Sequence, residues 1–310
     1  MPSPILSSPA GAAAAQRAAG NLRGVGWMLL TGLLFVCVTG IVRHLGTDMA
    51  AVQAAFLRYV FGLFLILPVL YRQVGTGLVP RRLGLHALRG LVHGVGVMLW
   101  FVAMARIPIA QVTALGYTAP IFTTIGAALF LGESLRARRI GAVLVAFAGA
   151  MIIVRPGIEE VSLGALAQLT AAPLFAASFL LAKKLTETES SSTIVAFLSV
   201  FVTLVLLPPA LMVWRTPTWE ELAWLFLTAV IATLGHYTLT RAFQAAELTA
   251  TQPVSFLQLV WATLLGYYVF GEQPDVWTWI GGGVVVASVT YISHREARAR
   301  RRNLIESANT

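Results

Sequence analysis

Charge is scarce in this chain. Only 11% of its 310 residues are Asp, Glu, Lys or Arg, against 57% hydrophobic residues, and the mean hydropathy is +0.78. A soluble globular domain carries about 25% charged residues. Too little polar surface exists here to cover a water-soluble fold of this size, so the bilayer is the implied solvent. Carboxylates are scarcer than cations, 13 against 22, and they fall almost wholly between the apolar runs. An intramembrane enzyme acting on a lipid-linked substrate would need Asp, Glu, His or Arg clustered at one membrane depth, which this distribution argues against. Cysteine is nearly absent. Cys37 stands alone in an apolar run, which excludes a disulfide framework and a cysteine metal site and leaves a small packing residue. No HExxH, GxSxG or paired-carboxylate pattern is present, and no glycine cluster precedes a strand–helix phosphate loop. No catalytic residue, cofactor or metal is therefore expected.

The net charge of +9 would suggest nucleic acid on a soluble protein. Here the basic residues sit in the gaps between apolar runs and at the C-terminus, and no polar domain carries a basic patch, so no nucleic-acid partner is expected. They read instead as topology signals.

A spanning helix needs about 20 mostly apolar residues. The charged residues divide the chain into ten such runs, at about 24–43, 50–71, 84–104, 108–130, 139–155, 162–182, 192–214, 221–240, 248–270 and 276–293. With the N-terminus inside, the inner segments hold Arg17 and Arg23; Arg72, Arg81, Arg82 and Arg89; Arg136, Arg138 and Arg139; Lys183 and Lys184; Arg241; and Arg295, Arg298, Arg300, Arg301 and Arg302. The outer segments hold only Arg43, Arg106, Arg155 and Arg215. This asymmetry places both termini in the cytoplasm and requires an even number of spans. Residues 1–23, rich in Ala, Ser, Pro and Gly, read as a flexible cytoplasmic tail, and 294–310 as a basic one. Trp219 and Trp277, near span ends, suit the interfacial aromatic belt.

The chain also repeats. Residues 102–133 align with 241–272: a helix ends in Ala plus a large apolar residue, a short polar link follows, then a long helix, then Gly-Glu. At nearly the same shift "RHL" (43–45) falls over "KKL" (183–185) and Pro68 over Pro208. The halves are 24–155 and 162–293. Five spans is an odd number, so the halves enter the membrane in opposite directions. Inverted repeats allow two related conformations, one open to each side, around a site near the midplane.

These landmarks, with "FLRY" (56–59) on the second span, Gly-Glu closing the fourth and ninth, and the stretch 258–296, resemble the EamA family of the drug/metabolite transporter superfamily. The resemblance covers about residues 24–296. It implies an all-α integral membrane protein of ten transmembrane helices, in two inverted five-helix repeats around a central cavity. The expected function is secondary transport of a small organic metabolite (an amino acid, vitamin or nucleoside-like solute) across the bacterial inner membrane. The expected partners are that small-molecule solute and the lipid bilayer. The alternatives are the intramembrane enzyme, and a non-transporting membrane scaffold, which leaves the repeat unexplained.

The residues proposed to line the cavity are Trp100, Tyr117, His236, Tyr237, Gln252, Ser255 and Gln258. Gln258 lies mid-span, where its amide must find partners, and it shares a helical face with Thr251 and Ser255. Tyr117 shares a face with Thr113 and Thr124 around Pro120. His93 and Trp100 share one on the third span. The aromatics Trp100, Tyr117, Tyr237 and Trp261 suit stacking on a planar, mainly neutral solute, or serve as packing. Arg58 is the cation clearly within a span. It either meets an anionic substrate or gate, or is a structural arginine bonded to helix-end carbonyls. Glu133 and Glu272 are gate or structural residues at opposite faces, each placed to cap the start of the following helix. The small-xxx-small pair Gly90/Gly94 is expected to pack helices within the fold, with a homodimer left open.

Overall fold

The structure is a computed structural model. It describes residues 9–46, 48–75, 80–116, 118–119, 122–123, 126, 141, 144–145, 147–149, 151–152, 161–245, 257–284, 286–288 and 290–291. No strand occurs among them. The helices are α1 (Pro9–Leu45), α2 (Ala51–Gly75), α3 (Leu83–Met104), α4 (Ile109–Gly116), α5 (Leu163–Leu185), α6 (Ser191–Met212), α7 (Trp219–Ala245) and α8 (Leu257–Phe270). Six of them (α1, α2, α3, α5, α6 and α7) are long and apolar enough to cross a bilayer. Residues 276–284 are also helical.

Local chemistry sets the helix ends. Ser162 accepts the Ala165 N–H at 3.2 Å and Ser190 the Thr193 N–H at 3.1 Å, each an N-cap. Thr218 and Glu221 form a capping box: the Glu221 N–H donates to Thr218 Oγ1 at 3.2 Å, and the Thr218 N–H to Glu221 Oε2 at 2.8 Å. Gly46 and Gly271 end α1 and α8 in the left-handed region, both at φ 64.

Several observed ends differ from the expected spans, most at α1 and α7. α1 begins at Pro9, so residues 9–23 are helical, and its apolar window starts at Arg23. α7 runs to Ala245, past the expected end at 240. Parts of the expected fourth and fifth spans, and the start of the ninth, lie outside the described residues.

Packing is reciprocal between the halves. α1 packs most extensively on α7, α3 on α5, and α2 on α6. Close approach at glycine allows it. Cβ atoms at Gly90 and Gly94 would meet Phe201 and Val205 of α6, and one at Gly235 would lie 2.8 Å from the Phe35 ring of α1. Gly90 and Gly94 thus pack within the fold. Cys37, expected as a small packing residue, is a free cysteine exposed on the outside of α1. Large apolar side chains such as Phe64, Leu204 and Leu234 are exposed as well, as expected where the neighbour is lipid.

Candidate functional site

The helices surround a partly open cavity of about 250 Å³ lined from both halves of the chain. α2 contributes Arg58 and Tyr59. α3 contributes His93 and Trp100, α4 Thr113, α5 Gln168 and Phe175, α7 His236, and α8 Gln258. α1 closes one side with Thr31, Phe35 and Thr39.

Edge-to-face rings form its wall. Phe35 meets His236 at 5.3 Å, His236 meets His93 at 5.0 Å, and His93 meets Phe175 at 5.3 Å between ring centroids. The Arg58 guanidinium lies 3.9 Å from the centroid of the Tyr59 ring, within cation–π range. His93 Nδ1 pairs with Ser178 Oγ at 3.0 Å. The threonine hydroxyls donate back to their own helices: Thr31 to Trp27 O, Thr39 to Phe35 O and Thr113 to Ile109 O, each at 2.8 Å. Four buried polar atoms around the cavity have no hydrogen-bond partner among the described residues: Tyr59 Oη, His93 Nε2, His236 Nδ1 and Gln168 Oε1. A buried polar atom left unmatched costs about 1–3 kcal/mol. Four around one cavity form a surface suited to a polar solute.

A buried polar file leads from this cavity toward the α5–α6 loop. His86, Arg89 and His93 share one face of α3 and are all buried. His86 Nε2 lies 3.9 Å from Glu189 Oε1. Arg89 donates to the Ile194 carbonyl at 3.1 Å, while its Nε has no partner among the described residues.

A second cluster joins three segments where α1, α3 and α8 end. Arg43 pairs with Glu272 at 2.8 Å and donates to the Met104 carbonyl at 2.8 Å. Glu272 Oε2 accepts the Ile109 N–H at 2.8 Å. The left-handed Gly271 turns the chain so that the Glu272 N–H reaches Gly266 O at 3.0 Å. Glu272 therefore sits on the N-terminus of α4, a helix of the other half, where the dipole favours an anion. Capping of the following helix falls instead to Asp275, whose Oδ1 accepts the Thr278 N–H at 2.7 Å.

Of the residues singled out from sequence, Arg58, Trp100, His236 and Gln258 come together at the cavity, with His93 and Thr113. Tyr237 does not. Successive helical residues point about 100° apart, so with His236 facing the cavity Tyr237 packs against Ile66, Val195 and Ala196. Trp261 packs in the core, against Gly32 of α1. Arg58 faces the cavity, whereas the buried arginine bonded to a carbonyl near a helix end is Arg89. Sequence reasoning had assigned Arg89 to an inner loop. Tyr117, Gln252, Ser255 and Glu133 lie outside the described residues. Also missed were Tyr59, Gln168 and Ser178. Gln168 carried the same signal as Gln258, an amide inside an apolar run.

Several apolar spanning helices around an internal cavity define a multi-pass membrane protein. The family description "EamA-like transporter family" matches residues 22–155 and again 162–294. The chain belongs to that family, which is one of transporters and not of enzymes. A riboflavin transporter of Vibrio cholerae is 33% identical over 91% of this chain and 96% of its own. An S-adenosylmethionine uptake transporter of Rickettsia bellii is 29% identical over 91% of this chain and 97% of its own. One crystal structure aligns with 88% of this chain and 96% of its own at a TM-score of 0.60 and 17% identity, a likeness of fold alone.

Proposed function

We propose that this protein is a secondary transporter that moves a small organic metabolite across the bacterial inner membrane. It works by alternating access between two inverted five-helix repeats, ten helices in all, with both termini in the cytoplasm. The observation that carries this reading is the cavity: it lies among spanning helices of both halves and is ringed by buried polar atoms without partners among the described residues. The relatives named for riboflavin and S-adenosylmethionine support a solute with a flat heteroaromatic ring. Trp100, His236 and Gln258 line the site, joined by Tyr117, Gln252 and Ser255 from the fourth and ninth spans.

The inverted arrangement has support at three levels. The same family description matches twice in tandem. The packing partners are reciprocal, α1 with α7 and α3 with α5. Arg43 bonds the Met104 carbonyl, and Lys183, at a nearly constant shift of about 140 residues, bonds the Phe243 carbonyl at 2.7 Å. On this symmetry the Arg43–Glu272 cluster is the outer gate. Glu133 and Lys183 supply its inner counterpart, one closing as the other opens.

An uptake or substrate-loss assay across a broad metabolite panel, in cells with and without the protein, tests the function. A flux difference for at least one solute is expected. No flux difference, with a changed lipid product instead, overturns the reading.

A further inference from the structure

We propose that the solute taken by this cavity is an organic anion, a flat ring bearing a carboxylate or phosphate, with Arg58 holding the charged group and the ring lying among the aromatic side chains. This inference rests on the transporter reading above and narrows it to a charge class.

Cations enter the spans and carboxylates do not. Arg58 and Arg89 are buried within α2 and α3. All 13 carboxylates of the sequence lie between the apolar runs or at their ends. Four of those described are engaged away from the two arginines' side chains. Glu272 serves Arg43 and the start of α4. Glu189 accepts the Arg81 N–H and faces His86, and Glu187 pairs with Arg82 and Lys184. Glu221 pairs with Arg215. Among the described residues that line the cavity, Arg58 is joined by His93 and His236 and by no carboxylate.

A cation within a span costs about 2.5–3.5 kcal/mol on insertion scales and is normally matched by an opposite charge. Here the protein places Tyr59 on one face of the guanidinium and supplies no acid among the described residues. Charge interactions strengthen several-fold as the local dielectric falls from that of water, so the positive field of Arg58, with a second buried cation at Arg89 on α3, favours an entering anion. His93 Nε2 and His236 Nδ1 have no partner among the described residues and add polar contacts beside it. Phe35, Trp100, Phe175 and Phe179 line the same space and suit a ring.

Matched pairs that differ in charge test this on the full-length purified protein. Nicotinate against nicotinamide and indole-3-acetate against indole-3-acetamide probe a carboxylate. Riboflavin 5′-phosphate against riboflavin probes a phosphate. In equilibrium titrations the anion of at least one pair is expected to bind at least about ten-fold more tightly than its neutral partner. Arg58→Lys should keep part of that preference and Arg58→Gln should abolish it. The wild-type comparison needs no variant to fold: if no anion outbinds its neutral partner, the proposal is wrong. Transport in liposomes separates the two levels. Flux of neutral members alone removes the anion and keeps the transporter. Absence of flux across a broad metabolite panel removes the transporter.

Discussion

At the residue scale, two arginines divide the roles that sequence alone left open for one. Arg58 borders the cavity. Arg89, seven positions into α3, resembled the topology charges of the preceding loop, and nothing in its spacing separated it from Arg81 and Arg82. Its carbonyl bond to Ile194 is a tertiary contact between distant segments, and such contacts leave no local signal. Gln258 was legible because an amide inside an apolar run must find a partner. Tyr237 was misplaced because proximity in sequence to His236 is not proximity on a helix face. The pair gives a sharp contrast. Tyr237→Phe is expected to leave transport unchanged, since its ring packs outside the cavity. His93→Phe removes the bond to Ser178 and one unmatched nitrogen while keeping the ring contact with Phe175. It should lower transport at least about ten-fold while melting changes by only a few degrees, consistent with the loss of one hydrogen bond worth about 1 kcal/mol. Melting curves and liposome flux read the two effects separately.

At the element scale, the spans were legible wherever charge punctuates the apolar runs, while the caps at Ser162, Ser190 and Thr218 emerge only from the structure. The Gly-Glu motif was legible as punctuation, but its job was not. Gly271 takes the left-handed turn, and Glu272 uses it to reach α4 and Arg43 across the repeat. The proposed outer gate can be probed from both sides of that contact. Glu272→Gln weakens the ion pair. Gly266→Ala places a Cβ 2.8 Å from Glu272 Oε2 and displaces the carboxylate. Both variants are expected to make a cysteine placed at Thr39 more reactive to an impermeant thiol reagent, in a Cys37→Ser background. Unchanged reactivity in both would remove the gate. Helix contact sets a separate constraint. A Cβ at Gly90 overlaps Phe201, including its backbone, so Gly90→Val should destabilise by at least the 1–3 kcal/mol typical of an overpacked core. Detergent melting would record this as a clear drop, and Gly84→Ala, where a Cβ meets nothing within 4 Å, serves as the neutral control.

At the scale of the whole molecule, the duplicated pattern of sequence and the reciprocal pairing of α1 with α7 and α3 with α5 lead to one architecture. Low charge implied the membrane, and the positive asymmetry of the loops implied the orientation. The cavity could not be read from the sequence in full, because its wall is assembled from residues of seven helices that meet only on folding. Reporter fusions should place the 46–50 loop outside and the 186–190 loop inside, and the reverse result would overturn the orientation. The central claim is that this cavity carries the solute. Its most direct test is flux of a metabolite panel into liposomes holding the purified protein, repeated with Trp100→Ala and Gln258→Ala. At least one solute carried by the wild type should be carried much more slowly by both variants. Unchanged flux in both would contradict the account.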